Sequence, residues 1–421
     1  MIFKRTMTYQ HLRGRVAIFY PYNTLGVTRV LQDISCILAE SGYQVEIYAT
    51  HSKTFPPPVF QSPSISVITN QPALFEGLEI RLPEWTIGRG RKVYRRLLSN
   101  LFRPFFQRTL RQRHKRIPYV CLIGIDPLGL ADAGSFADFL GVPFIYWSLE
   151  MLYMDEIAKR VDRRLKFKEI EISRSASFTI IQDEWRGQAL ARENGLDPAK
   201  MILVPNAPRG EARRSPDSFL YKRFGIQPER KIVLCAGQLG WWSMTKELVN
   251  AASSWPEDYV LVMQSRQQLL TQDISTLMSL ADPRRVIFSL DPVYSDEYRT
   301  MVDSASIGLA FYNPDFIGPP LRREKNMRLL GLSSGKLSDY LWCGLPVVVN
   351  SKVIGPQELI NSYNCGICVS EPGQIKEALD KIFEFYDQYV VNACRCFDER
   401  LELDKHFRPV IGKLGELNDK Q

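Results

Sequence analysis

The 421-residue chain carries 54 Lys and Arg against 46 Asp and Glu, a net charge of +8, with 45% apolar and 24% charged residues. That make-up suits a globular protein with two domains of ordinary size, and it excludes a disordered chain. No run of 18 apolar residues occurs, so no transmembrane helix is predicted.

Residues 1–15 contain Lys4, Arg5, Arg13 and Arg15 but no apolar core of signal-peptide length, so a cytoplasmic location is expected. Residues 15–20 read as a first parallel strand. A loop with Asn23, Thr24 and Gly26 follows. Val30, Leu31, Ile34 and Leu38 set a helical stripe over 28–41, ended by Gly42. A strand at 45–49 completes a Rossmann-like unit, which places a ligand at the loop above the strand ends. A full G-x-G-x-x-G is missing, so the dinucleotide fingerprint is absent.

The basic charge is local. Residues 89–116 hold eleven Lys and Arg, among them Arg91, Lys92, Arg95, Arg96 and Arg103, and no acid. One or two helices interrupted near Pro104 are predicted, with Tyr94, Leu97, Leu98, Phe102 and Phe105 on an apolar side. A basic amphipathic element of this kind fits an anionic membrane surface. A solvated face packed by its aromatics is the other reading, and nucleic acid a weaker third.

Strands are predicted at 120–125, 143–147, 178–182 and 202–204, with helices at 135–140, 159–174 and 184–194. Asp126 and Glu150 then fall at strand ends, where doubly wound sheets bind ligands. Pro205 and Asn206 suit a closing turn, and the charged 209–216 a linker. Apolar runs at 231–236, 259–264, 285–290 and 307–311 build a second sheet. Trp241 and Trp242 follow its first strand, to stack on a base or to pack between domains. The basic segment 316–332 is long enough for a lid.

The densest signal is 331–350. Ser333, Ser334 and Gly335 suit a helix start, whose first amides lack partners. Leu337, Tyr340 and Leu341 form its apolar stripe, Gly344 and Pro346 end it, and Val347–Val349 read as a buried strand. Free amides with Lys336 one step inside make a site for a phosphate or diphosphate. Asp339, three residues on, can share a face with Lys336.

Gly335-Lys336-Leu337-x-Asp339-Tyr340-Leu341-x-x-Gly344-x-Pro346-Val347 resembles the donor-site signature of retaining glycosyltransferases of the GT-B fold, family 4 in particular. The resemblance implies two Rossmann-like doubly wound α/β domains facing a cleft. They would span 1–208, which binds acceptor, and 209–390, which binds donor, with 391–421 crossing back as helices. It implies a nucleotide-diphosphate sugar as donor and a hydroxyl acceptor, a polysaccharide or lipid-linked glycan precursor. Ser333, Ser334, Gly335, Lys336 and Leu337 would face the donor diphosphate and Asp339 its ribose. Asn23, Thr24 and Gly26 would form the acceptor-side loop.

The chain also departs from that pattern. The family's Arg and Lys after the first strand of the second domain are Gln238 and Ser243 here, with Lys246 as the nearest substitute. Its sugar-side His is absent from 145–150, leaving Glu150 as the polar candidate for catalysis beside Lys336. Its first Glu is Gly331. A catalytically silent binding subunit and a nucleotide-sugar epimerase of similar fold are therefore rival readings. No cofactor or metal is implied. Cys365, Cys368, Cys394 and Cys396 lie in an apparent strand and helix rather than in the loops that usually present thiolates.

Overall fold

A computed structural model describes residues 12–52, 55–69, 106–265, 272–291, 293, 295–315 and 324–419. The predicted membrane patch, Arg91 to Arg103, lies outside the described residues, as do 316–323 of the expected lid.

The chain folds as two parallel sheets. The first has seven strands in the order β3-β2-β1-β4-β5-β6-β7. These are β1 (Gly14–Tyr20), β2 (Tyr43–Ala49), β3 (Ile65–Thr69), β4 (Tyr119–Ile125), β5 (Phe144–Trp147), β6 (Thr179–Ile181) and β7 (Met201–Leu203). The second has six, in the order β10-β9-β8-β11-β12-β13. They are β8 (Lys231–Ala236), β9 (Tyr259–Gln264), β10 (Val286–Ser289), β11 (Ile307–Ala310), β12 (Val347–Asn350) and β13 (Gly366–Val369). Both have the central order reversal of doubly wound folds, and the central strands are apolar beyond Arg15 and Lys231 at their starts because helices cover both faces.

Two local readings change. Strand β3 was not predicted: Ile65 alone is buried on this edge strand, so the apolar signal is weak. The helix expected at 135–140 runs over Asp126–Leu140, directly from the end of β4. Pro127 suits its first turn. Gly129 lets it press on β1, since any Cβ there would collide with the Phe19 carbonyl.

The C-terminal helices tie the halves together. In Tyr386–Arg400, Ala393, Cys396 and Phe397 complete the second core. In Leu403–Asp419, Leu403, Phe407, Val410 and Leu414 join the first. The crossing thus falls near residue 401, and a division at 390 would cut a helix. Among the described residues no helix is long and apolar enough to cross a membrane.

Candidate functional site

The helix Gly335–Trp342 is held in place by its neighbours in the second sheet. The Tyr340 ring lies over Gly308 of β11, where a Cβ would collide with it, and the Ala236 N–H donates to Tyr340 Oη at 2.7 Å. Ser334 caps the start: its Oγ accepts from Leu337 N and also meets the Tyr312 hydroxyl. Burial of Leu337, Tyr340 and Leu341 in the second core leaves the helix start facing the first domain.

There it meets the turn after β7. Asn206 N donates to the Leu332 carbonyl at 3.0 Å, and Asn206 Nδ2 to the Ser333 carbonyl at 3.1 Å. Beside this contact lies a cavity of about 480 Å³ between the two sheets. The second domain contributes Ser333, Gly335 and Asp339 to it; the first contributes Tyr20, Tyr22, Thr24, Arg29, Asp126 and Glu150.

Several sequence candidates therefore meet in one place: Thr24, Glu150, Ser333, Gly335 and Asp339. Others do not. Asn23 is exposed, and Gly26 packs its backbone on Pro56, so neither lines the cavity. Leu337 is core. Lys246 is exposed on the helix Thr245–Ala252, and Ser243 is buried, bonded to the Gly240 carbonyl and Thr245.

Asp339 lines the cavity but Lys336 does not; its side chain turns toward Tyr312 and Trp242, against the expectation of a shared face. Lys336 Nζ sits 4.6 Å from the Tyr312 ring centroid and 6.0 Å from that of Trp242. Its Cε passes 3.9 Å from where a Cβ of Gly237 would stand. The ammonium thus lies beside the loop after β8, next to Gln238, the position that carries no cation here. Trp242 is drawn into this wall while Trp241 remains 46% exposed. Residues three apart on a helix differ by about 60° around the axis, enough for separate partners to separate them.

Asp339 faces Arg29, in the first turn of the helix Arg29–Glu40. One guanidinium nitrogen is 3.6 Å from Asp339 Oδ1 and another is 3.6 Å from Asp33 Oδ2, while the group lies 4.6 Å from the Trp342 ring. Burial outweighs the attraction of Arg29 and pushes the Asp33 carboxyl up to about 6. Sequence reasoning missed Arg29, because a lone Arg at a helix start reads as a solvated charge.

The first domain's wall holds Asp126 in a left-handed backbone conformation, φ +56°. That costs about 1–2 kcal/mol for a residue with a Cβ, and such strain persists where neighbours over-determine it. Here the Leu149 and Glu150 N–H groups both donate to Asp126 Oδ1, at 2.7 and 2.8 Å. Glu150 Oε2 accepts from Asn326 Nδ2 of the second domain at 3.1 Å, so this candidate also bridges the halves.

The C-terminal part, residues 329–412, matches the family model described as glucosyltransferase 3-like, C-terminal domain. No curated protein matches the sequence. Among solved structures the chain is similar to HepE (Alr3699) of Anabaena, crystallised in complex with UDP-glucose. The TM-score is 0.66 at 13% identity, covering 96% of this chain and 100% of that one. The sucrose-phosphate synthase from Thermosynechococcus elongatus gives 0.65 at 15%, covering 97% and 98%. WaaG, a glycosyltransferase involved in lipopolysaccharide biosynthesis, gives 0.60 at 15%, covering 96% and 100%. These likenesses establish the two-domain GT-B fold.

Proposed function

We propose that the chain transfers a sugar from a nucleotide-diphosphate donor to a hydroxyl acceptor, retaining the anomeric configuration. The observation that carries this reading is that the start of the helix Gly335–Trp342 opens into the interdomain cavity with Ser333, Gly335 and Asp339 on its wall. Helix-start amides and a nearby ammonium stabilise the negative charge that builds on a departing diphosphate, so neither a covalent intermediate nor a metal is required. Lys336 supplies the ammonium beside Gln238, and Arg29 adds a guanidinium from the opposite wall. Asp339 holds the ribose once nucleotide displaces Arg29 from its carboxylate. The relative crystallised with UDP-glucose supports a nucleotide-sugar donor, and the match to a glucosyltransferase 3-like domain supports the transfer.

Residues 1–208 serve as the acceptor half and residues 209 to about 400 as the donor half, and the basic segment 89–116 brings the enzyme to an anionic membrane surface carrying a glycan or lipid-linked acceptor. A catalytically silent binding subunit is the second reading. It is favoured by one observation: Gly331 stands at the place of an acid, and its surroundings leave no room for one.

Lys336→Ala is the direct test. It should raise the UDP dissociation constant about tenfold, the loss of roughly 1.4 kcal/mol of charge-assisted binding. Unchanged UDP binding refutes the placement. Sugar release from a nucleotide sugar by the wild-type protein separates the enzyme from the silent subunit.

A further inference from the structure

The wall of the cavity opposite the donor helix carries a group that the donor reading leaves unused. Asp126 ends β4, is 6% exposed, and lines the cavity together with Tyr20, Tyr22 and Glu150. Its backbone is left-handed, and both backbone bonds to the carboxyl fall on one oxygen, Oδ1. Oδ2 is used by neither bond and is left for the cavity. No cation pairs with this carboxyl among the described residues. A strained, buried acid held by backbone amides and left without a counter-ion is a poor structural element, and such features gather at functional sites.

We infer that Asp126 positions the acceptor, its Oδ2 taking a hydrogen bond from the hydroxyl that attacks the donor sugar. This rests on the transferase reading. In that transfer the hydroxyl oxygen bonds to the anomeric carbon, and the bond from that carbon to the diphosphate oxygen breaks, its electron pair leaving with the diphosphate. The hydroxyl proton passes along its hydrogen bond to Asp126 Oδ2 and is released to water once the product has left. Asp126 is thereby restored, and the same hydrogen bond turns the hydroxyl so that a lone pair faces the anomeric carbon.

Only the ionised carboxyl does this. When Oδ2 carries a proton it donates to the hydroxyl instead, and the lone pair is drawn away from the sugar. Burial pushes the Asp126 carboxyl up to about 8; the backbone N–H of Glu150 lowers it, the charge of Glu150 raises it, the N–H of Leu149 lowers it and Glu169 raises it. The ionisable groups around it are Tyr20 on β1, Tyr22 in the loop beyond, Tyr146 on β5, Glu150 after β5 and Glu169 on the helix Arg160–Ser173. All three tyrosines are raised by burial and stay neutral through this range. Turnover should therefore climb as pH rises toward 8 and level off above it.

Asp126→Asn separates the proposal from a structural role. The amide oxygen keeps both backbone bonds, Asn tolerates left-handed backbone, and its Nδ2 can only donate. Release of the nucleoside diphosphate would be measured from a panel of UDP-, GDP- and ADP-sugars, with water and with p-nitrophenyl glycosides as acceptors. The expected result is UDP affinity within twofold of wild type, a turnover number at least fiftyfold lower, and loss of the rise toward pH 8. A variant that turns over within threefold of an active wild type, with the same pH profile, overturns the inference and leaves the transferase reading standing. A wild type that releases no nucleotide from any donor in the panel overturns both.

Discussion

Asp183 Oδ2, in the first domain, accepts the Leu332 N–H of the second at 2.6 Å, in the space over Gly331 that a side chain would fill. Asp183 also caps the helix Glu184–Asn194, its Oδ1 accepting from Arg186 N at 2.9 Å. One carboxylate therefore closes a helix and latches two domains, at the position where the resembled family carries an acid of its own. Gly331 has φ +55°, so an added Cβ is strained by the backbone and collides with Asp183.

Gly331→Ala should cost about 2 kcal/mol or more, combining left-handed strain with displacement of the carboxylate. In an Asp183→Ala background the collision is gone, so the same substitution should cost clearly less. Thermal unfolding of the four proteins in this cycle checks it; additive effects would show that the two sites are not coupled.

A second latch is Arg186, fully buried between the domains. Its guanidinium donates to Gln182 Oε1 at 2.7 Å, the Leu149 carbonyl at 3.0 Å, the Leu329 carbonyl at 3.2 Å and Asn326 Oδ1 at 3.3 Å. Arg186→Met removes every one of these bonds while keeping most of the volume. Leaving several buried acceptors unsatisfied should cost roughly 3 kcal/mol or more, read by denaturant unfolding. A loss under about 1 kcal/mol would mean that water replaces the guanidinium.

The raised carboxyl of Asp126 has a consequence for stability that does not depend on activity. Between an ordinary carboxylate value near 4 and its folded value of about 8, the unfolded chain ionises this group while the folded chain keeps it protonated. Its contribution to stability is full below pH 4 and is lost as pH rises to 8. Asp126→Asn is neutral throughout. The melting temperature of the variant, taken relative to wild type, should rise from pH 4 to 8 and then hold steady. A difference that does not change with pH would place the carboxyl in a wetter, less strained setting.

Arg29→Met keeps an unbranched side chain over Trp342 but removes the charge between Asp33 and Asp339. If the guanidinium serves the diphosphate, UDP should bind about tenfold more weakly while uridine binding stays unchanged. Calorimetric titration of both ligands tests this. An equal loss for both would assign Arg29 to the ribose side, acting through Asp339.

Local pattern was enough for most of the architecture. Twelve of the thirteen strands correspond to apolar runs bounded by Gly, Pro or charge, because a strand covered on both faces must be apolar throughout. The helix Gly335–Trp342 was equally legible: Ser334 at its cap, the Leu337–Tyr340–Leu341 stripe and Gly344 at its end are all local chemistry. What failed is instructive. Strand β3 gains its place by pairing with β2, and its own residues carry little signal. The start at Asp126 depends on β1 pressing against Gly129.

The sequence by itself determined the apolar strands, their alternation with helices and the capped start of the helix Gly335–Trp342, since these follow from the order and periodicity of neighbouring residues. Only the tertiary structure decided which charges share the cavity. It brought Arg29 to Asp339 across 310 positions of chain, set Asp183 over Gly331, turned Lys336 onto Tyr312 outside the cavity lining, and placed Asp126 on that lining. Those pairings depend on how two separately packed cores dock. That is a matter of distance in space, which no spacing along the chain encodes.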